Sequence, residues 1–134
     1  MRQAGRSVLA VLAGYLASLC SFVVTGYVLY RLIDRETFEW HHPPYYSWIS
    51  LGGELVRLII SVAVGGYVAS RIAGYARAWH AGVVAACILI SMSAQGFPDR
   101  YSTPAWYWVL SLSAIIPSGL LGSWAASRNR RVTA

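Results

Sequence analysis

Glu54 and Arg57 are an acid and a base three residues apart inside an otherwise apolar run. On a helix this spacing puts both side chains on one face, within reach of each other. A charge held at membrane depth costs on the order of 2.5–3.5 kcal/mol on insertion scales, so such a pair is a candidate for handling ions or polar substrates. The structural alternative is a self-neutralised pair whose arginine pins one helix to its neighbours. Further polar side chains fall at similar depth in the neighbouring apolar runs: Ser91, Ser93 and Gln95 in one, Ser111 and Ser113 in another, Thr25 in a third. The expected intramembrane polar site therefore comprises Glu54, Arg57, Ser91, Gln95 and Ser111.

Other chemistry is sparse. His41 and His42 are adjacent, and such a pair without a third ligand is a poor metal site. His80 falls at the opposite end of the apolar runs, about 30 Å away across a hydrocarbon core. No metal site is expected. Cys20 and Cys87 are single thiols within apolar runs, without the paired spacing of a zinc or redox motif. No nucleophile–base pair or glycine-rich phosphate loop is present. Neither enzymatic activity nor a cofactor is expected.

The elements that must position Glu54 and Arg57 follow from composition. Hydrophobic residues make up 57% of the 134 residues and charged residues 12%. A soluble domain carries roughly 25% charged residues and needs them to cover its surface. The mean hydropathy of +0.49 agrees with a membrane protein. Four apolar runs, about 8–33, 48–72, 79–95 and 104–127, approach the ~20 residues that a spanning helix needs. The expectation is an all-α, polytopic bundle of four transmembrane helices forming a single membrane domain over 1–134. The first run is too long for a signal-peptide core, which extends over about 7–15 residues, and reads as a retained helix.

All eleven basic residues are arginines, and the net charge is +6. Apart from Arg57 they fall in short clusters between apolar runs, so they read as topology signals and no nucleic-acid partner is expected. Arg2, Arg6, Arg71, Arg77, Arg128, Arg130 and Arg131 would share one side, while Arg31, Arg35 and Arg100 lie on the other with Asp34, Glu36, Glu39 and Asp99. The positive-inside rule then makes both termini cytoplasmic. The loop 34–48 is rich in aromatics and holds Pro43 and Pro44, which suits an extended path along the outer interface.

Small residues recur every four positions. Ala10, Gly14 and Ser18 form one stripe, Gly65 with Ala69 and Gly66 with Ser70 another, and Ser118, Gly122 and Ala126 a third beside Gly119. Such stripes let membrane helices approach closely, so Gly14, Ser18, Gly65, Gly66, Ala69, Gly119 and Gly122 are expected at helix contacts. The segment Gly65–Arg71 also matches Gly122–Arg128, and Ala13-Gly14…Cys20 faintly matches Ala81-Gly82…Cys87. This reads as two tandem helical hairpins related by a pseudo-two-fold axis along the membrane normal.

Four motifs carry a family resemblance: Val-Leu-Ala-Gly-Tyr-Leu at 11–16, Gly-Gly-Tyr-x-Ala-x-Arg-x-Ala at 65–73 followed by Trp79-His80-Ala81, Pro-Ala-Trp-Tyr at 104–107, and Leu-Gly-Ser-Trp at 121–124. Together they resemble a group of small, uncharacterised four-helix bacterial inner-membrane proteins, from which the chain departs in its long aromatic first loop. The resemblance implies a multi-pass protein of the bacterial inner membrane and no established activity. The expected function is a non-catalytic accessory or structural subunit, with the lipid bilayer and either a membrane-protein partner or further copies of itself around it. The alternative is a small oligomeric transporter or channel working at Glu54 and Arg57.

Overall fold

The computed structural model describes residues 2–32, 48–74, 77–94 and 104–132. They form four helices: α1 Arg2–Leu32, α2 Trp48–Ala73, α3 Arg77–Ala94 and α4 Ala105–Val132. α1, α2 and α4 each contain a stretch long and apolar enough to cross a membrane, and the apolar part of α3, Arg77–Ser93, is shorter. α1 starts six residues before the apolar run and α4 continues past Arg128. Hydropathy marks only the apolar part of a helix, whereas Arg, Gln and Ala propagate it into polar surroundings.

α2 ends at Gly74, whose φ of 74° is the left-handed conformation that closes helices. Its N–H donates back to the Ser70 carbonyl at 3.4 Å. The orphan carbonyls of this helix end attract arginines, as the helix dipole favours. Arg6 Nε donates to the Ile72 carbonyl at 2.7 Å, and Arg77 Nε to the Gly74 carbonyl at 3.3 Å. Ser70 Oγ donates to the Arg77 carbonyl at 3.1 Å, tying α2 to the start of α3.

α2 and α3 form the middle of the bundle: each touches the other three helices, while among the described residues α1 and α4 do not touch. α1 and α2 run antiparallel. A Cβ on Gly14 would lie 2.7 Å from the Gly65 carbonyl oxygen and 2.8 Å from Ala69 Cβ; one on Gly65 would lie 2.7 Å from the Gly14 oxygen and 2.9 Å from Ser18 Cβ. α2 meets α4 as closely, with a Cβ on Gly66 overlapping the Gly119 backbone and one on Gly122 overlapping Ala63 and Tyr67. At these two crossings the backbones themselves are in contact, which only residues without a Cβ permit. Every small residue expected at a helix contact is found at one or is buried: Ser18 and Ala69 are buried, and a Cβ on Gly119 would meet Ala81 and Ala85 of α3.

The hydrophobic centre is Leu58, Val62, Ala69, Val84, Ala85, Ile88 and Ile115. Around it lie buried Ser61, Ser70, Ser111, Ser118, Ser123, His80 and Arg57. The outside is apolar as well. Leu9, Leu12, Leu16, Val23 and Val24 on α1, Ile60 and Val64 on α2, and Val109, Leu110, Leu120 and Leu121 on α4 are exposed. Water-soluble proteins place residues of these types in the opposite way.

Candidate functional site

The candidate site is built where the N-terminal half of α2 crosses α1. Arg57 Nη1 donates to Glu54 Oε1 at 2.8 Å, one helical turn away. Arg57 Nε donates to the Phe22 carbonyl oxygen of α1 at 2.7 Å. The guanidinium carbon lies 3.6 Å from the centroid of the Phe22 ring. Thr25 Oγ1 donates to the Ser21 carbonyl at 2.7 Å and more weakly to the Phe22 carbonyl at 3.3 Å. The Phe22 carbonyl therefore carries more than its share. A helical carbonyl already accepts the N–H four residues on, and here its remaining lone pair takes a cation.

Gly26 makes this possible. A Cβ there would lie 2.5 Å from Arg57 Cζ and 2.6 Å from Nη2, so the guanidinium occupies the space a side chain would fill. Side-chain exposure is 11% for Arg57 and 22% for Glu54, so the arginine is enclosed while the carboxylate keeps an open edge. Ser61 Oγ donates to the Arg57 carbonyl at 2.7 Å, continuing the polar line along α2. A carboxylate, a backbone carbonyl and an aromatic face together compensate a cation out of water. The arrangement is a cross-helix clamp: a fixed cation with its contacts made internally, and one partly open carboxylate.

Ser91 and Ser111 stand apart from the hydrogen bonds of this clamp. Ser91 Oγ donates to the Cys87 carbonyl at 2.8 Å and lies 3.0 Å from Tyr15 Oη, forming a separate bridge from α3 to α1. Ser111 is completely buried, and among the described residues its Oγ has no hydrogen-bond partner. Among the described residues no hydrogen bond connects Ser91 or Ser111 with Glu54 or Arg57. Ser93 and Ser113 are exposed and bond to carbonyls of their own helices, Leu89 at 2.9 Å and Leu110 at 3.0 Å. Gln95, His41, His42 and the aromatic loop from 34 to 47 lie outside the described residues. Among the described residues no three His, Cys, Asp or Glu side chains gather at a metal-binding distance.

Phe22 and Gly26 were not expected at the site, yet the small-residue stripes point to them. Continuing Ala10, Gly14 and Ser18 by steps of four reaches Phe22 and then Gly26. Continuing Ala69 and Gly65 the other way reaches Ser61 and then Arg57. The antiparallel register that sets Gly14 against Ala69 and Ser18 against Gly65 sets Gly26 against Arg57. No family model, no curated protein and no solved structure matches this chain.

Proposed function

We propose that this chain is a small, non-catalytic integral membrane protein of the bacterial inner membrane that serves as an accessory or structural subunit, packed against a larger membrane complex or against other copies of itself. One observation carries the reading: α1 presents a bare apolar face. Only 17% of its most apolar stretch is buried, against 44% and 39% for α2 and α4. Lipid covers such a face, and so does a partner helix. The Arg57 clamp supports a structural role, because its guanidinium contacts are already made within the bundle. Purification in a mild detergent, followed by identification of co-purifying proteins and mass measurement, tests the proposal. A stoichiometric larger partner or a defined homo-oligomer is expected. A solitary monomer that stays monomeric in native membranes after cross-linking would refute it.

The proposed orientation places Arg6, Arg71, Arg77 and Arg128 on the cytoplasmic side with both termini. A reporter active only in the periplasm, fused after Ala134, should be silent; activity would invert the arrangement. The tandem-hairpin relation is proposed from the sequence match of Gly65–Arg71 with Gly122–Arg128. Helix contacts qualify it, since a two-fold pairing α2 with α3 would also pair α4 with α1, and among the described residues those two do not touch. An experimental structure in which α1–α2 cannot be superposed on α3–α4 by a half turn would remove it. The membership implied by the four motifs is likewise part of this proposal, and a homologue search finding those motifs only in unrelated folds would end it.

A transporter or channel is the second reading. Two features favour it: the open edge of Glu54 and the buried hydroxyl of Ser111, unpartnered among the described residues. Ion or solute flux in vesicles containing the pure protein, abolished by Glu54→Gln, would establish it; equal flux in protein-free vesicles would dismiss it.

A further inference from the structure

We infer that the arginine-bearing end of the bundle binds one anionic phospholipid, its phosphate on Arg6 and Arg77 and an acyl chain in the groove between α1 and α3. The inference rests on the membrane reading above and adds a ligand to it. Arg6 and Arg77 converge on Gly74 from two helices. Arg6 Nε holds the Ile72 carbonyl, Arg77 Nε holds the Gly74 carbonyl, and Arg6 Nη2 lies 3.0 Å from where a Gly74 Cβ would stand. Carbonyl oxygens orient a guanidinium without neutralising it. The sequence has no acidic side chain from 1 to 33, from 55 to 98 or from 100 to 134, so no segment meeting at this end supplies a carboxylate side chain. The two cations are held by their own Nε contacts, which leaves less to order when an anion arrives. A phosphate matches the guanidinium fork.

The groove begins one residue along α1 from Arg6 and two residues along α3 from Arg77. Val8, Val11 and Leu12 face Trp79 and Val83 across it, with Ser7 and His80 beside them, and its volume is about 480 Å³. Apolar walls beside fixed cations fit an amphiphile with a negative head and a hydrocarbon tail. Trp79 is 72% exposed on the rim, where an indole suits the headgroup level. A zwitterionic lipid would bring its own cation toward two arginines, so a headgroup with net negative charge is favoured.

The test reconstitutes the full chain into phosphatidylcholine vesicles that contain a minor share of brominated phosphatidylglycerol or the same share of brominated phosphatidylcholine. Bromine quenches tryptophan, and the part of the signal lost in Trp79→Phe reports the groove. Quenching of Trp79 should favour the anionic lipid by roughly tenfold in apparent affinity. The preference should vanish in the double variant Arg6→Gln/Arg77→Gln, and in the parent protein it should fall as salt is raised. Equal quenching by the two lipids would overturn the inference. So would a preference that survives in the folded double variant, or that salt leaves unchanged. Loss of the preference on adding inorganic phosphate, at an ionic strength where chloride leaves it intact, would also overturn it, because the ligand would then be a free anion. Flotation of the vesicles separates the two readings: a protein that does not float with lipid refutes the membrane proposal itself.

Discussion

Replacing Arg57 by leucine with Glu54 left in place should lower the unfolding free energy by about 3–5 kcal/mol. The change removes the hydrogen bond to the Phe22 carbonyl, the contact with its ring and the counterion of Glu54 at once. It also empties the space beside Gly26 that the guanidinium fills. The double variant Glu54→Gln/Arg57→Leu should cost less than Arg57→Leu alone, because no carboxylate is then left without a partner. Glu54→Gln alone should be mild, since its side chain keeps an exposed edge and the amide oxygen still accepts from Arg57. Unfolding in mixed micelles, followed by loss of helical circular dichroism, measures all three. A double variant at least as unstable as Arg57→Leu would show that the pair is not the source of the coupling.

Gly122→Leu should be as damaging, for a steric reason. Any Cβ at position 122 overlaps the Ala63 carbonyl and the Tyr67 amide, and one at position 66 overlaps the Gly119 backbone. Backbone cannot swing aside as a flexible side chain can, so α2 and α4 must separate. Overpacking commonly costs 1–3 kcal/mol, and a forced helix displacement should reach or exceed about 3 kcal/mol. Gly82→Leu and Gly52→Leu are the controls, because nothing lies within 4 Å of a Cβ at either position. They should stay within about 0.5 kcal/mol of the parent. If all three variants lost the same stability in the same micelles, glycine content rather than close helix contact would be at issue.

The sequence reading succeeded where a signal survives without knowing which helices are neighbours. Apolar runs gave four helices, and glycine turned out where backbones touch. The pairing of Glu54 with Arg57 followed from helical spacing alone. It was silent on the arrangement of the wider polar site, which was assembled by matching depth along separate helices. Depth says nothing of rotation about a helix axis: Ser93 and Ser113 face outward, while Ser91 turns to Tyr15. Phe22 was hidden for a different reason, because its contribution is a backbone oxygen and no residue type marks a carbonyl that accepts a second donor. Gly26 was visible only once the register between α1 and α2 was set.

The exchange of roles between interior and exterior has a calorimetric consequence. Serine, alanine and glycine share the centre with a few larger residues such as Val62, Val84 and Ile115, while many leucines and valines face outward. In the lipid setting proposed here, separating the helices would carry their leucines from one hydrocarbon environment to another and hydrate almost none of them. The large heat-capacity increase that accompanies unfolding in water comes from hydrating apolar surface. Disassembly of this bundle within a bilayer should therefore show a heat-capacity change far below the ~12–15 cal/mol/K per residue of soluble domains, and a stability that varies almost linearly with temperature. Scanning calorimetry showing the soluble value would mean that apolar surface reaches water on unfolding. Without that curvature, cooling would not weaken the bundle, and its cohesion would rest on dispersion contacts at the glycine crossings and on the clamp at Arg57.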